Sequence, residues 1–334
     1  MSLSVSLPCD QLTILGRYDR RENALAFDWT NSGVYFRFCG KTVTFRFDAP
    51  ALSQQLYVKV WLDGQSYRLC VKEGETDLEV NAATDGEHTV YCVRTNEILD
   101  AVPLVMREIL IDGNAPALLA APALPERRML FIGDSITCGF GNLTKGVLPR
   151  FLTCEQDGSK TFAAMTAAHF QAQAHFVCIS GRGIARNCDN CQAPLIPEFF
   201  NQTTISNPTS WDHTQYQPDL IVVNAGTNDT AGEESPVDPA VFKASLKAFA
   251  TSLLETYPNA KLLWCYGMMA TDMTDTIREV IESLDDSRAM FMPFRSAGEF
   301  ENECGGCWHP NVRAHYRCAG VLIDTVSNWM NWDL

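Results

Sequence analysis

Apolar and polar residues follow different patterns in the two halves of the chain. Positions 25, 27 and 29 are large and apolar, as are 43, 45 and 47, and small or polar residues separate them. A period of two is typical of strands with one face in a core. Asp63-Gly64 and Asp85-Gly86 are predicted turns. Residues 1–113 are therefore expected to form an antiparallel β-sandwich of the jelly-roll type.

Residues 114–126, NAPALLAAPALPE, are rich in Ala and Pro and show neither a strand nor a helix period. This stretch is predicted to be a linker. It separates the β domain from a second domain at 127–334.

From residue 127 short apolar runs alternate with amphipathic segments. Strands are predicted at 129–132, 176–179, 220–223, 261–266 and 290–293, and helices at 161–170, 239–256, 274–284 and from Pro310 onward. This alternation indicates an α/β domain with a parallel sheet between two layers of helices. Insertions at 142–160 and 184–217 are expected to shape a substrate cleft.

Length, charge and composition limit the classes of protein to which this chain can belong. A chain of 334 residues, 46% hydrophobic, is long enough for two domains. Its formal net charge of -14 argues against nucleic acid or an anionic membrane as a partner. No apolar run approaches the roughly 18 to 20 residues that span a bilayer. Residues 1–8 lack the pattern of a signal peptide, but an opening Met-Ser-Leu is also typical of a cloning scar, so the compartment stays open.

Polar blocks follow the predicted strands of the second domain. Gly133-Asp134-Ser135 ends the first strand, and the later blocks are Ser180–Gly183, Gly226–Asp229 and Trp308–Asn311. Ligands bind at the carboxyl ends of strands in open α/β sheets. Ser, Gly, Asn and His brought together at that edge are what acyl transfer requires.

These blocks, GDSIT, SGRG, GTND and WHPN, resemble those of the SGNH (GDSL-type) hydrolases. The spelling GDSITCGFG, with SGRGIARN and GTND, is most similar to the acetyl esterases of carbohydrate esterase family 2. The resemblance covers residue 129 to the C-terminus and, more loosely, the β-rich segment before it. It implies a small β domain in front of the hydrolase domain, an esterase that acts on acetylated carbohydrate, and no required cofactor.

The resemblance also implies roles for individual residues. Ser135 is the expected nucleophile, and His309, the histidine of the last block, is its expected base. The Ser135 N–H, the Gly183 N–H and the Asn228 amide are the expected oxyanion donors. The remaining residues Asp134, Asp229 and Trp308 are expected to support these loops.

The third member of a catalytic triad is missing from its usual place. The general SGNH spelling has an acid three residues before the histidine, where this chain has Gly306, next to Cys307. A backbone carbonyl could accept the Nδ1–H of His309 instead, or Glu301 or Glu303 could fold back. We favour a Ser135–His309 dyad.

Thirteen cysteines are present, an odd number. Two pairs, Cys188/Cys191 and Cys304/Cys307, follow blocks at the expected catalytic edge, so a four-thiolate zinc site is one interpretation. Independent thiols or a local disulfide are favoured, because the intervening residues fix no register. We therefore predict no metal. Reduced cysteines are compatible with the cytoplasm, whereas the family makes a secreted or periplasmic location plausible.

The predicted function is removal of O-acetyl groups from polysaccharide or oligosaccharide, of the acetyl xylan or glucomannan esterase type. A lipid or acyl-thioester hydrolase of the wider SGNH group is one alternative. A carbohydrate-binding protein with an inactive esterase domain is another, although the intact Ser135, Asn228 and His309 argue against it. The sequence does not indicate the sugar or the oligomeric state.

Overall fold

A computed structural model describes residues 1–49, 55–98, 102–188, 190–231 and 237–333. The chain divides into two compact units, Met1–Leu124 with Thr203–Thr209, and Pro125–Gln202 with Ser210–Leu334. The division falls inside the predicted linker. It also assigns a short piece of the second predicted insertion to the first unit.

The first unit is antiparallel, as predicted. Within its described residues the strands are β1 (Ser2–Ser6), β2 (Thr13–Leu15), β3 (Asp19–Arg21), β4 (Ala24–Phe27), β5 (Gly33–Ala49), β6 (Leu56–Leu62), β7 (Gln65–Val71), β8 (Gly74–Arg94), β9 (Leu104–Asp112) and β10 (Ala117–Leu119). They form one continuous sheet in the order β3-β4-β9-β5-β8-β6-β7, with β1 beside β9 and both β2 and β10 beside β5. On β5, Val34, Phe36 and Phe38 are buried in the core, and the residues between them are partly exposed.

Two predictions for this unit were wrong in detail. Asp85-Gly86 does not form a turn, because β8 runs through it and Gly86 pairs with Gly40 of β5. The Asp85 carboxylate instead accepts a hydrogen bond from Asn114 N at 2.7 Å. Within the predicted linker, residues 117–119 form β10 and pair with β5, so part of that stretch belongs to the sheet.

The second unit contains the parallel sheet and the longer helices. Its described strands are β11 (Arg128–Gly133), β12 (Gln173–Cys178), β13 (Leu220–Asn224), β14 (Lys261–Tyr266) and β15 (Ala289–Pro293). Its described α-helices are α1 (Ser135–Cys138), α2 (Phe162–His169), α3 (Ile196–Phe199), α4 (Thr227–Thr230), α5 (Pro239–Thr256), α6 (Thr274–Glu282) and α7 (Val312–Met330). Single 3₁₀ turns lie at Thr153–Glu155, Gly158–Lys160, His213–Gln215 and Ala297–Glu299.

The sheet order is β12-β11-β13-β14-β15, and every pairing is parallel. Side chains of a strand alternate between its two faces. Phe131 faces a core shared with α2 and α7. On the opposite face Trp264 packs edge-on against Phe249 of α5, with ring centroids 6.2 Å apart. The predicted three-layer α/β domain is therefore confirmed.

Among the described residues, no helix has the length and apolar character needed to cross a membrane.

Candidate active site

Ser135 is the first residue of α1, directly beyond the carboxyl end of β11. The preceding Asp134 is the N-cap, and its side chain accepts a hydrogen bond from Ile136 N at 2.9 Å. Gly133 is required for this tight exit, since a Cβ there would lie 2.3 Å from Thr137 Oγ1 and 2.6 Å from Asn224 O. A short capped turn thus places the serine at the carboxyl edge of the sheet.

His309 meets this serine. Its Nε2 lies 2.9 Å from Ser135 Oγ, although the residues are 174 positions apart in the sequence. The turn before α7 holds the imidazole, because His309 N donates to Gly306 O at 3.0 Å and His309 O accepts from Gly305 N at 2.7 Å. Asn311 then caps α7 through its side chain.

The other ring nitrogen of His309 contacts a backbone carbonyl. Nδ1 lies 3.0 Å from Cys307 O. A carbonyl oxygen only accepts, so Nδ1 must carry the proton, and the Nε2 lone pair is left to accept from Ser135 Oγ–H. Cys307 and the next residue, Trp308, have φ values of 49° and 59°, a left-handed pair that turns the carbonyl back toward the ring.

Neither glutamate proposed as the missing acid contacts this histidine in the structure. Glu303 is buried and pairs with Arg317, with N–O distances between 2.8 and 3.1 Å. Glu301 is exposed. The carbonyl alternative is the one that the geometry supplies.

The environment of His309 favours the neutral imidazole. Burial lowers the pKa of His309 to about 4, and the backbone contacts at Cys307 and Gly306 only partly oppose that shift. Phe140 covers the ring at a centroid distance of 4.6 Å, and Phe151 stacks behind Phe140 at 3.8 Å. A neutral histidine is the form that can take a proton from serine.

Asn228 and Gly183 lie on loops that hydrogen bonds join to one another. Asn228 Nδ2 donates to Arg182 O at 2.9 Å and to Asp134 Oδ2 at 3.2 Å. Gly183 N donates to Asn187 Oδ1 at 3.2 Å. A Cβ at Gly183 would lie 1.9 Å from a backbone oxygen, so only glycine fits this turn.

Asp229 fixes the loop that contains Gly183. Its carboxylate, fully buried, accepts from the N–H groups of Ile184, Ala185 and Arg186 at 3.0, 2.7 and 3.0 Å. Burial raises the pKa of Asp229, and these N–H donors oppose the rise. The predicted role of Asp229 as a support corresponds to these contacts.

Trp308 borders an open cavity in the same unit. Its side chain is 59% exposed, an unusual position for a tryptophan. The cavity, of about 510 Å³, is lined mainly by apolar groups, including those of Met268, Met269 and Ala231. Thr227, the neighbour of Asn228, also contributes to its wall.

Comparison with known proteins shows which family the chain belongs to. The family model described as GDSL-like lipase/acylhydrolase matches residues 131–315, more than half of the chain. The chain belongs to this GDSL-like lipase/acylhydrolase family. A second model, described as the N-terminal domain of carbohydrate esterase 2, matches residues 14–122, which include most of the β unit.

Relatives of this GDSL-like chain include proteins that are named esterases. The cellulase/esterase CelE of Acetivibrio thermocellus is 26% identical to this chain over 95% of the chain's length. The matched region is only 39% of CelE, which is a longer protein. An acetylxylan esterase/glucomannan deacetylase of Cellvibrio japonicus is 26% identical over 74% of the chain and 68% of its own length. The structure of a family two carbohydrate esterase from Clostridium thermocellum, in complex with cellohexaose, superimposes with a TM-score of 0.89 at 25% identity. The superposition covers 96% of this chain and 100% of the esterase chain.

Three groups of this GDSL-like site were not predicted as site residues. Asn187 lies against Gly183, Phe140 covers His309, and Cys307 O lies against the imidazole, whereas the sequence predicted only a backbone carbonyl of no named residue as one alternative. The signal for Phe140 was present in the GDSITCGFG block, five residues after the serine. Asn187 is likewise the last residue of the SGRGIARN block, four residues after Gly183.

The two CxxC pairs lie beside the same loops. Cys188 N donates to Gly181 O at 3.0 Å, and Arg182 Nη1 lies 2.7 Å from Cys191 Sγ. Asp189, between these cysteines, lies outside the described residues. No group of three or more His, Cys, Asp or Glu side chains suited to a metal occurs in the described ranges. That the pairs hold no metal stays a prediction, which metal analysis of the purified protein tests.

Proposed function

We propose that the chain is a serine carboxyl-ester hydrolase that removes acetyl groups from polysaccharide or oligosaccharide. The observation that carries the proposal is the 2.9 Å contact between Ser135 Oγ and His309 Nε2 at the carboxyl edge of the sheet. The backbone carbonyl on the opposite ring nitrogen fixes the tautomer that this contact needs. Membership of the acylhydrolase family supports the same chemistry.

In the acylation step, Ser135 Oγ attacks the ester carbonyl while its proton passes to His309 Nε2. The tetrahedral intermediate collapses when the bond to the sugar oxygen breaks, and that oxygen takes the proton from Nε2. Acetyl-Ser135 remains. In the deacylation step, water attacks the carbonyl carbon of acetyl-Ser135 and gives a proton to His309. Acetate is released when the bond to Ser135 Oγ breaks and Oγ takes that proton back.

The negatively charged oxygen of the tetrahedral intermediate must be stabilised by hydrogen-bond donors. We assign Ser135 N, Gly183 N and Asn228 Nδ2 to this role. The last two make hydrogen bonds of 3.2 Å within the protein, to Asn187 Oδ1 and Asp134 Oδ2. Each of these bonds must be exchanged for one to the oxyanion when the intermediate forms, and the negative charge of the oxyanion favours that exchange.

The proposed substrate is an acetylated neutral glycan. Curated relatives are named for acetylxylan and glucomannan, and the formal charge of -14 opposes anionic surfaces. The exposed Trp308, next to His309, offers an aromatic face to a sugar ring. Such substrates are met outside the cell, which favours a secreted or periplasmic location over a cytoplasmic one.

One observation favours a second candidate, the hydrolysis of longer acyl esters. The cavity beside Trp308 is lined mainly by apolar groups and could accommodate an alkyl chain. Buried methylenes contribute about 0.8 kcal/mol each, so a pocket of that kind would favour butyrate over acetate by roughly fifteenfold. The acyl preference therefore distinguishes the two candidates.

The deciding experiment measures acetate release from acetylated xylan and glucomannan, and kcat/KM for aryl acetate, butyrate and octanoate. We expect release from at least one glycan and the highest rate with acetate. Ser135→Ala should abolish turnover with an unchanged melting temperature. Rates that rise with chain length, without release from any glycan, would replace this proposal by the lipid esterase. Near wild-type turnover by Ser135→Ala would remove the serine from the mechanism.

A further inference from the structure

Aromatic residues form a row across the outer face of the β unit. Tyr35 on β5 pairs with Tyr91 on β8, which pairs in turn with Trp61 on β6. Their neighbours along each strand, such as Val90 and Val60, are buried in the core. Because side chains alternate, the three aromatic residues face away from that core. Tyr91 is 37% exposed.

A cavity lies between two members of this row. It has a volume of about 320 Å³ and is lined by Trp61, Asp63, Gly64, Thr89 and Tyr91. We call it the aromatic slot. Its volume lies at the small end of the range for ligand sites, which suits a single ring rather than an extended peptide.

Neighbouring side chains hold the walls of the aromatic slot in place. Tyr35 stacks on Tyr91 with centroids 3.9 Å apart and an interplanar angle of 7°. The Lys59 ammonium lies 4.8 Å from the ring centroid of Trp61. Both aromatic walls are thus supported before any ligand arrives, which lowers the entropy cost of binding.

The edge of the aromatic slot carries a fixed hydrogen-bond acceptor. Asp63 Oδ1 accepts from Thr89 N at 2.9 Å, and Asp63 Oδ2 lies 2.6 Å from His88 Nδ1. Its side chain is nevertheless 48% exposed. A carboxylate has about four acceptor positions, so capacity remains for hydroxyl donors of a ligand.

Charge restricts the ligand class. The Asp63 carboxylate repels anions such as fatty acids, and the Lys59 ammonium beside the indole of Trp61 repels cations that aromatic cages otherwise bind. A neutral ligand with apolar ring faces and hydroxyl groups at its edge satisfies both the aromatic walls and the acceptor. Sugar rings have this character.

We propose that the aromatic slot binds a sugar unit of a neutral polysaccharide, as a site separate from the one at Ser135. The inference rests on the proposed function for the choice of glycan. Stabilisation of the sheet by cross-strand aromatic pairs accounts for the contact between Tyr35 and Tyr91, but not for an open cavity beside Trp61. The site would hold the esterase on its polymer while acetyl groups are removed.

The test is affinity electrophoresis in gels that contain unsubstituted glucomannan or xylan, which no esterase can turn over. Trp61→Ala removes a wall, and Thr89→Trp fills the aromatic slot while the backbone bonds of residue 89 are retained. Each should weaken retention by about tenfold or more, as expected for loss of a central aromatic anchor. Tyr316→Ala removes an aromatic ring that is 75% exposed on α7 and should leave retention unchanged.

Activity on aryl acetate serves as the folding control, and all three variants should keep the wild-type kcat/KM. Two results would overturn the proposal. One is no retention of the wild-type protein by either glycan. The other is retention that disappears in Trp308→Ala but persists in Trp61→Ala and Thr89→Trp, which would assign all binding to the hydrolase unit. Failure of the proposed function has a different signature, since it appears as absence of acetate release whatever the retention.

Discussion

The acid limb of the pH profile tests the arrangement around His309 most directly. A protonated imidazole cannot take the serine proton, so kcat/KM must fall below the pKa of His309. Burial lowers that pKa to about 4. At pH 5.5 the imidazole is then almost fully neutral, whereas a histidine with the ordinary pKa of about 6.5 would be only about one tenth neutral.

The substitution Phe140→Ala tests whether burial is the cause of the lowered pKa of His309. Phe140 lies 4.6 Å from the imidazole, and its loss admits water to one face of His309. The acid inflection of kcat/KM should rise by about 1 to 2 pH units, each equivalent to about 1.4 kcal/mol of recovered solvation of the imidazolium. Activity at pH 5.5 should then fall relative to pH 8, although the reacting atoms are unchanged.

The assay is hydrolysis of aryl acetate between pH 3.5 and 8, and Phe140→Leu is the matched control that keeps apolar bulk over the ring. Samples held at each pH and then assayed at pH 7 separate titration from unfolding. A wild-type inflection near 6.5 would refute the claim that burial controls this base. So would identical inflections in wild type and Phe140→Ala.

Five further substitutions, at four residues, test the site. Asn228→Ala should lower kcat about a hundred- to a thousandfold with little change in KM, since the oxyanion bond forms mainly in the transition state; an effect on KM alone would indicate substrate binding instead. Asp229→Ala removes the acceptor of three backbone N–H groups, so we expect the free energy of unfolding in urea to fall by about 3 kcal/mol or more, together with a reduced kcat. Asp229→Asn should lose less stability. An unchanged unfolding midpoint in the alanine variant would contradict this. Glu301→Gln and Glu303→Gln should each keep kcat/KM within about twofold of wild type, because a carbonyl already orients His309; a drop of a hundredfold in either would identify a triad acid.

Short-range sequence patterns predicted the strands and the longer helices of the second unit, and the polar blocks at their ends. The α5 helix at Pro239–Thr256 and the β14 strand at Lys261–Tyr266 have the predicted bounds. The helix shows a regular apolar period, and the strand is a continuous apolar run. Ser135 and His309 could be paired from the sequence because their blocks match, in order, those of the family that the chain resembles. The site could be predicted to the level of which side chains meet.

Predictions failed where a local signal has two structural outcomes. Asp85-Gly86 is typical of a turn, but here the pair continues a strand. Gly86 pairs with Gly40, and the Asp85 carboxylate accepts a hydrogen bond from Asn114 N. Propensity is weak where long strands offer many hydrogen-bond partners. The same holds for residues 117–119, whose Ala-Leu-Leu composition did not reveal a strand that depends on β5.

The orientation of His309 was decided by tertiary structure alone. Its acceptor is a main-chain oxygen, which every residue possesses and no sequence pattern distinguishes. What selects the carbonyl of Cys307 is the left-handed backbone at Cys307 and Trp308, stabilised by contacts to distant residues, among them Cys307 N to Leu148 O at 2.6 Å. Residue identities thus determined which groups could react. Long-range packing determined the direction of the carbonyl and the dry face of the imidazole, because both depend on chain segments far apart in the sequence.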